Sequence, residues 1–340
     1  MAKQQWKVFF ESDFWHHSGR DHAGKELRLD KEFEWAGHEW HIPAVYCCGK
    51  GLAVDFCMGA GRDALRAFMD KWKLPGNPEK ELSKEDVLRM ERDNPLTLGF
   101  KPHIFCNGKE LALSKSCCVS YQPYLEEIQD MEEAKAAMGH YGLSDGCGWT
   151  VTRAFFRWNT KRRPEIRSLS VVMEALPAPA PGGRFTADQK GDRAQLAHPE
   201  NGKMYTLTVR EYRHETLGEK AAEQDGWEYP RHFDVMGYTV EPEGETIAVK
   251  DCADGEPARK IPDEKDDPFA PCAVCSCGCV LLPGKEDTVF AGESGTLRME
   301  WVCSSMCFEP GRQVEWLPVF HIREFEAVSY THLTLPTILR

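Results

Sequence analysis

Short runs in which apolar and polar residues alternate, separated by turns containing glycine, recur along this chain, and that period of two dictates antiparallel ribbons. Phe33-Glu34-Trp35 and Trp40-His41-Ile42 alternate around Ala36-Gly37, and Val45-Tyr46-Cys47 faces Leu52-Ala53-Val54 across Gly49-Lys50-Gly51. His103-Ile104-Phe105-Cys106 and Glu110-Leu111-Ala112-Leu113 flank Asn107-Gly108, a pair suited to the positive φ angles of a type I′ turn. From Trp149 onward the alternation predicts strands over 149–158, 166–176, 204–212, 233–240, 246–249, 296–303 and 314–325. Pro199-Glu200-Asn201-Gly202 supplies another hairpin turn, and the proline-rich run 177–183 and the charged run 263–268 read as connectors.

Helical spacing is confined to the first half. Leu65, Phe68, Met69 and Trp72 recur at that spacing after Gly59-Ala60-Gly61, and Leu74-Pro75-Gly76 stops the run. Ser83 followed by Asp86 resembles a capping box that opens a short polar helix ending before Asn94-Pro95. A third helix is predicted from about Tyr124 to Met138, closed by Gly139 or Gly142. The fold class expected is α+β, mainly antiparallel β-sheet, with a few helices in the N-terminal half and a β-rich C-terminal half. The predicted domains are residues 1–147, an α+β domain, and 148–327, a β-rich one.

The last thirteen residues, 328–340, are set apart. Val328-Ser329-Tyr330-Thr331-His332-Leu333 back-translates to the mosaic end of a transposon-based sequencing adapter, so this tail reads as adapter read-through, with the native C-terminus lost. The competing reading is a genuine C-terminal strand, for which Tyr330, Leu333, Leu335 and Ile338 supply apolar side chains.

Aromatics at 11% and charged residues at 28% predict a packed globular core rather than disorder. A formal charge of −12 repels polyanions and argues against nucleic acid as the main partner. No run approaches the roughly 18 apolar residues of a membrane span, and Met1-Ala2-Lys3-Gln4-Gln5-Trp6 has no signal-peptide core, so the expected location is the cytoplasm. There most of the 14 cysteines should stay reduced. Cys47-Cys48 and Cys117-Cys118 sit in strand-like runs that send neighbouring side chains to opposite faces.

The most suggestive cluster is Cys272-Ala273-Val274-Cys275-Ser276-Cys277-Gly278-Cys279, followed by Cys303-Ser304-Ser305-Met306-Cys307. Cys272, Cys275, Cys303 and Cys307 supply two thiolate pairs for a four-sulfur structural zinc site, the only cofactor the sequence suggests. The competing reading makes these thiols core filler, because the spacing matches no common finger and a strand would align Cys275, Cys277 and Cys279 on one face. His38 and His41 fall on opposite faces of a strand, and His16, His17 and His22 lack converging partners. Gly59-Ala60-Gly61-Arg62-Asp63-Ala64 looks like a dinucleotide turn, but Ala64 occupies the third glycine position and the surroundings read antiparallel. Arg153, Arg157, Lys161, Arg162, Arg163 and Arg167, interleaved with Phe155, Phe156 and Trp158, form the one sizeable basic stretch, read as a solvated hairpin. No nucleophile elbow and no recognisable Cys–His pair occurs, so no catalytic residue is assigned.

Three segments, Val45 to Cys57, Asn94-Pro95-Leu96-Thr97, and Thr160-Lys161-Arg162-Arg163-Pro164 with Ser168-Leu169-Ser170-Val171, resemble a family of uncharacterised bacterial proteins over most of residues 1–326. That family has no assigned activity, so the resemblance transfers no functional residue. Its members carry a glycine-rich segment in place of Cys272 to Cys279, which implies that zinc would be particular to this chain. The leading expectation is a non-enzymatic cytoplasmic binding or assembly protein whose partner is a protein or small molecule. A zinc-stabilised module and a hydrolase using a buried His or Cys with a carboxylate are the alternatives.

Overall fold

A computed structural model of the protein describes residues 6–14, 20–74, 82–125, 131–161, 163–218, 223–224, 226–261, 289–292 and 295–333. These divide into two compact units, one formed by residues 1–81, 90–177 and 323–340, the other by 82–89 and 178–322. Strands dominate both, and among the described residues every strand pairing is antiparallel and there are three α-helices. None of those helices is long and apolar enough to cross a membrane.

The first unit holds β1 (Lys25–Trp35), β2 (His38–Cys47), β3 (Gly51–Ala60), α1 (Arg62–Trp72), β4 (Phe100–Cys106), β5 (Lys109–Tyr121), α2 (Glu132–Tyr141), β6 (Gly148–Arg157) and β7 (Leu169–Ala175). With a last strand, Val328–Leu333, they form one eight-stranded sheet in the order β1-β2-β3-β6-β5-β4-β7 and then that strand. The turns follow local chemistry. Ala36 and Gly37 take φ of 52° and 75°, and Asn107 and Gly108 take 52° and 75°, the left-handed pairs a type I′ turn needs. The predicted cross-strand partners meet: Phe33 faces Trp40, and Val45 faces Val54.

The sheet curls into a half-barrel, so Leu27, Trp40, Phe56, Ile104, Phe156, Val171 and Met173, from strands across its width, share one inner core. Its outer face is covered by α2 and by residues 6–14, through Val8, Phe10, Ala134, Ala137 and Met138 packed on Ala53, Cys57, Val151 and Phe155. Burial on both faces explains why all ten residues of β3 are buried and why its sequence is nearly unbroken apolar. Each large side chain so buried contributes about 1.5–3 kcal/mol. The adjacent cysteines separate as expected, Cys47 to the inner core and Cys48 to the outer one.

The second unit begins with residues 82–89, which include the start of a helix, α3 (Lys84–Asp93), whose N-terminus is capped by Ser83 accepting the Asp86 N–H at 3.1 Å. It continues with β8 (Ala178–Pro181), β9 (Phe185–Thr186), β10 (Arg193–Ala197), β11 (Met204–Thr216), β12 (Glu223–Gln224), β13 (Trp227–Glu228), β14 (His232–Glu241), β15 (Thr246–Asp251), β16 (Arg259–Lys260), β17 (Val289–Gly292), β18 (Gly295–Arg298), β19 (Glu300–Cys303) and β20 (Glu315–Ile322). One sheet has the order β10-β11-β14-β19, another β15-β20-β8 with β9 also on β20. They share a core of Leu196, Tyr205, Leu207, Met236, Tyr238, Val249, Trp316 and Phe320. Leu88 packs on Leu317 and Val319, which β20 turns away from that core. Arg184 bridges Glu85 and Glu315, the latter at 2.7 Å, and so ties the helix to β20.

In sequence the compact units change over at Pro177/Ala178, and β6, expected to open the second domain, hydrogen-bonds to both β3 and β5 within the first sheet. The proline-rich run is not only a connector: residues 178–181 form β8 on the edge of β20, a place where the missing proline N–H groups are tolerated. The helix predicted from Tyr124 spans Glu132–Tyr141, and Gly142, at φ 71°, rather than Gly139 closes it. Val328–Leu333, read from sequence as adapter, forms β21 and pairs with β7.

Candidate functional site

Within the apolar run of β3 stands one carboxylate, Asp55, and directly opposite it on β6 stands Arg153. Both are buried, and the guanidinium is bidentate, Nε to Oδ1 at 2.8 Å and Nη2 to Oδ2 at 2.7 Å. The Tyr141 hydroxyl, at the last turn of α2, donates to Asp55 Oδ2 and lies 2.6 Å from the Tyr46 hydroxyl. Trp6 Nε1 donates to Tyr46 at 2.9 Å, and the rings of Trp6, Phe14 and Tyr46 surround the Arg153 guanidinium, Phe14 closest at 4.3 Å. Toward the surface His140 meets Glu26 at 3.0 Å and stacks on Trp6. Burial, reinforced by the Asp55 charge, pushes the phenols of Tyr46 and Tyr141 up, so both stay protonated donors. Asp55, Arg153, Tyr141, Tyr46, Trp6 and His140 thus each have a partner within this cluster, which makes it a scaffold for the C-terminal end of α2.

Beside that end lies a cleft of about 530 Å³ lined by Glu32, Glu34, Glu39, His41, Tyr141 and Trp149, with Phe33, Trp40 and residues 142–144. Its position follows from strand alternation. Phe33, Trp35 and Trp40 belong to the inner core, so Glu32, Glu34, Glu39 and His41 face outward. The outer face is left open where α2 stops at Gly142. Glu34 and Glu39 are directly opposite on the β1–β2 ladder, and Glu32 is opposite His41. Among the described residues no Lys or Arg lines the cleft. Burial pulls the His41 pKa below its ordinary 6.5 against the raising influence of Glu32 and Asp30, so the imidazole is neutral at pH 7. The carbonyl end of α2 adds partial negative charge, and Trp149, fixed by its Nε1 donating to Ser144 O at 2.8 Å, adds aromatic surface.

The second unit has a smaller polar cluster. Asp234 accepts from the Tyr212 hydroxyl at 2.8 Å and lies 2.5 Å from His214 Nδ1, while its own N–H donates to Ser304 Oγ at 2.8 Å. His214, His232, Asp234, Cys307 and Arg312 border a space of about 40 Å³, enough for a few water molecules. The Cys307 thiol donates to the carbonyls of Glu309 at 3.0 Å and His232 at 3.4 Å, and burial raises its pKa.

Of the four sulfurs proposed for zinc, Cys272 and Cys275 lie outside the described residues, as do Cys277 and Cys279. Cys303 is opposite Val235 at the start of the β14–β19 pairing, and Cys307 bridges His232. Among the described residues no group of three or more His, Cys, Asp or Glu is arranged to hold a metal ion. Gly59-Ala60-Gly61 ends an antiparallel strand, since β3 pairs with β2 and β6, so the parallel unit of a dinucleotide fold is missing there. The basic stretch divides: Arg153 is buried against Asp55, while Lys161, Arg163 and Arg167 are exposed. Sequence reasoning missed Asp55 although a lone carboxylate inside Leu52 to Met58 signals a buried partner. It also missed the acidic cleft, whose three glutamates come together only through the hairpin register.

Comparison with protein-family models, with curated proteins and with solved structures finds no match to this chain.

Proposed function

We propose that this is a cytoplasmic binding protein whose first unit takes a cationic group, an ammonium or guanidinium on a flexible stem, into the cleft at the β1–β2 tip. One observation carries the reading: Glu34 and Glu39 oppose each other across the ladder, with Glu32 beside them and no basic side chain in the wall among the described residues. Like charges placed directly opposite cost the free protein roughly 0.2–1 kcal/mol, a cost that a bound cation removes. The shape agrees with the charge, because an open cleft bordered by carboxylates and aromatic rings suits a long basic side chain better than a compact substrate. The reading favours binding over hydrolysis, since among the described residues neither His41 nor the His214–Asp234 pair has a nucleophile hydrogen-bonded to its imidazole.

A short peptide of alternating Arg and Gly, titrated against the protein at low ionic strength while Trp149 indole resonances are followed, tests this. Glu34→Gln/Glu39→Gln should weaken binding at least about tenfold, as expected for losing two partly desolvated charge contacts, while raising the stability of the free protein by a few tenths of a kcal/mol. Equal affinity of the variant and wild type would sink the proposal.

A further inference from the structure

Resting on that reading of the cleft, we infer that its occupant is the basic β6–β7 loop of a second copy of this chain, so that copies associate head to tail. The loop supplies the matching charge. Lys161 and Arg163 are exposed and form no ion pair among the described residues, and Arg167 pairs only with the equally exposed Glu165 at 3.2 Å. Its base is held firmly. Trp158 donates its backbone N–H to Lys50 O at 3.1 Å and Nε1 to Cys48 O at 3.1 Å, and Asn159 Nδ2 donates to Glu110 O at 2.7 Å. On the far side Asn107 accepts the N–H groups of Arg167 and Ser168 at 2.8 and 3.1 Å. The cations are thus presented on a braced loop, which lowers the ordering cost of binding.

Topology makes the contact intermolecular. The cleft sits at the Ala36-Gly37 end of β2, whereas the loop leaves the sheet at the Gly49–Gly51 end, where Gly51 faces Arg157. Ten residues of β2 separate these ends by roughly 30 Å. One surface therefore meets a different surface of the next copy, which builds a ring or an open chain rather than a two-fold dimer. Lateral pairing through β1 is disfavoured by a register shift between Arg28 and Lys31 and by its charged residues. The net charge of −12 repels copies generally, so contact depends on this one complementary match.

Sedimentation velocity on three forms of the full chain tests the inference: wild type, the cleft variant Glu34→Gln/Glu39→Gln, and the loop variant Lys161→Gln/Arg163→Gln. All substituted side chains are exposed, so folding should be preserved. Wild type should form larger species by about 100 µM, a weak-contact range, and each variant alone should stay monomeric. An equimolar mixture of the two variants should stop at a one-to-one dimer, because one brings only a working loop and the other only a working cleft. A monomeric wild type, a loop variant that associates like wild type, or a mixture that fails to pair would overturn the inference. If wild type stays monomeric yet binds the Arg-Gly peptide, the cleft reading stands and the self-association falls; if it binds neither, both fall.

Discussion

Asp55 and Arg153 face each other across the β3–β6 ladder, fully buried and joined by two hydrogen bonds of 2.8 and 2.7 Å. Withdrawing both charges from water is costly, and the pair persists because Tyr141 also donates to the carboxylate and three aromatic rings enclose the guanidinium. Removing one partner strands the other. Asp55→Asn or Arg153→Met should therefore destabilise the first unit by about 3–5 kcal/mol, whereas Asp55→Leu with Arg153→Met should recover a large part of that loss. Denaturant unfolding of the three variants checks this. A double variant as unstable as the sum of the singles would show that the ion pair itself, rather than avoidance of a stranded charge, holds the site.

The antiparallel architecture was legible because it is local. Asn107-Gly108 and Ala36-Gly37 state their turns in two residues each, and Leu65, Phe68 and Met69 state the buried face of α1. The division between units was not, because β6 looks like the start of a new all-strand region and only its pairing with β3 and β5, both well earlier in the chain, joins it to the first sheet. Arg153 was misplaced for a related reason. Lys161, Arg163 and Arg167 follow it on the loop beyond the strand, whereas Arg153 lies within β6, and the partner that neutralises it stands on β3. The glutamates of the cleft were invisible as a group because register, set by the Ala36-Gly37 turn, aligns 34 with 39 and 32 with 41.

Gly51 opens β3 where Phe10, from residues 6–14, crosses the sheet. A methyl group there would collide with the Phe156 carbonyl oxygen and with the Phe10 ring, whereas one at Gly49 would meet nothing. Gly51→Ala should therefore cost at least about 2 kcal/mol, as overpacking against backbone does, and Gly49→Ala should be neutral within about 0.5 kcal/mol. Thermal unfolding of the two single variants separates them. Equal melting temperatures would mean that residues 6–14 do not pack on β3.

The described cysteines differ sharply in access, so thiol labelling reads the fold. Cys118 is exposed, while Cys57 is fully buried and Cys48 nearly so. Burial pushes the Cys48 thiol up to about 12 and the Cys57 thiol well above its ordinary value, leaving almost no thiolate at neutral pH. A disulfide reagent at pH 8 should modify Cys118 first, and Cys48 and Cys57 only when the first unit opens, their rates rising with denaturant. Mass mapping of the early products decides it; rapid labelling of Cys57 in the native protein would contradict the two-sided burial of β3. The same experiment, run beside zinc analysis of protein purified without chelator, shows whether Cys303 and Cys307 gain protection from a metal shared with the Cys272 segment.

His41 gives the cleft a pH dependence with a definite sign. Its pKa in the folded protein is held below the ordinary 6.5, chiefly by burial and further by Arg28, although Glu32 and Asp30 pull the other way. Between that lowered value and 6.5 the unfolded chain binds more protons than the folded one, so stability rises with pH across the window and its contribution is complete above it. His38 and His140 are lowered too, burial again the largest cause, and they add to the same trend. Protonated His41 also places a positive charge in the wall of the cleft, opposite Glu32. Acidification from pH 7.5 to 5.5 should thus weaken both folding and cation binding, and His41→Gln should flatten the binding profile while His38→Gln flattens only the stability profile. Peptide titrations and denaturant melts across that range give the two curves. Binding that strengthens on acidification, or a His41→Gln profile matching wild type, would remove His41 from the cleft's electrostatics.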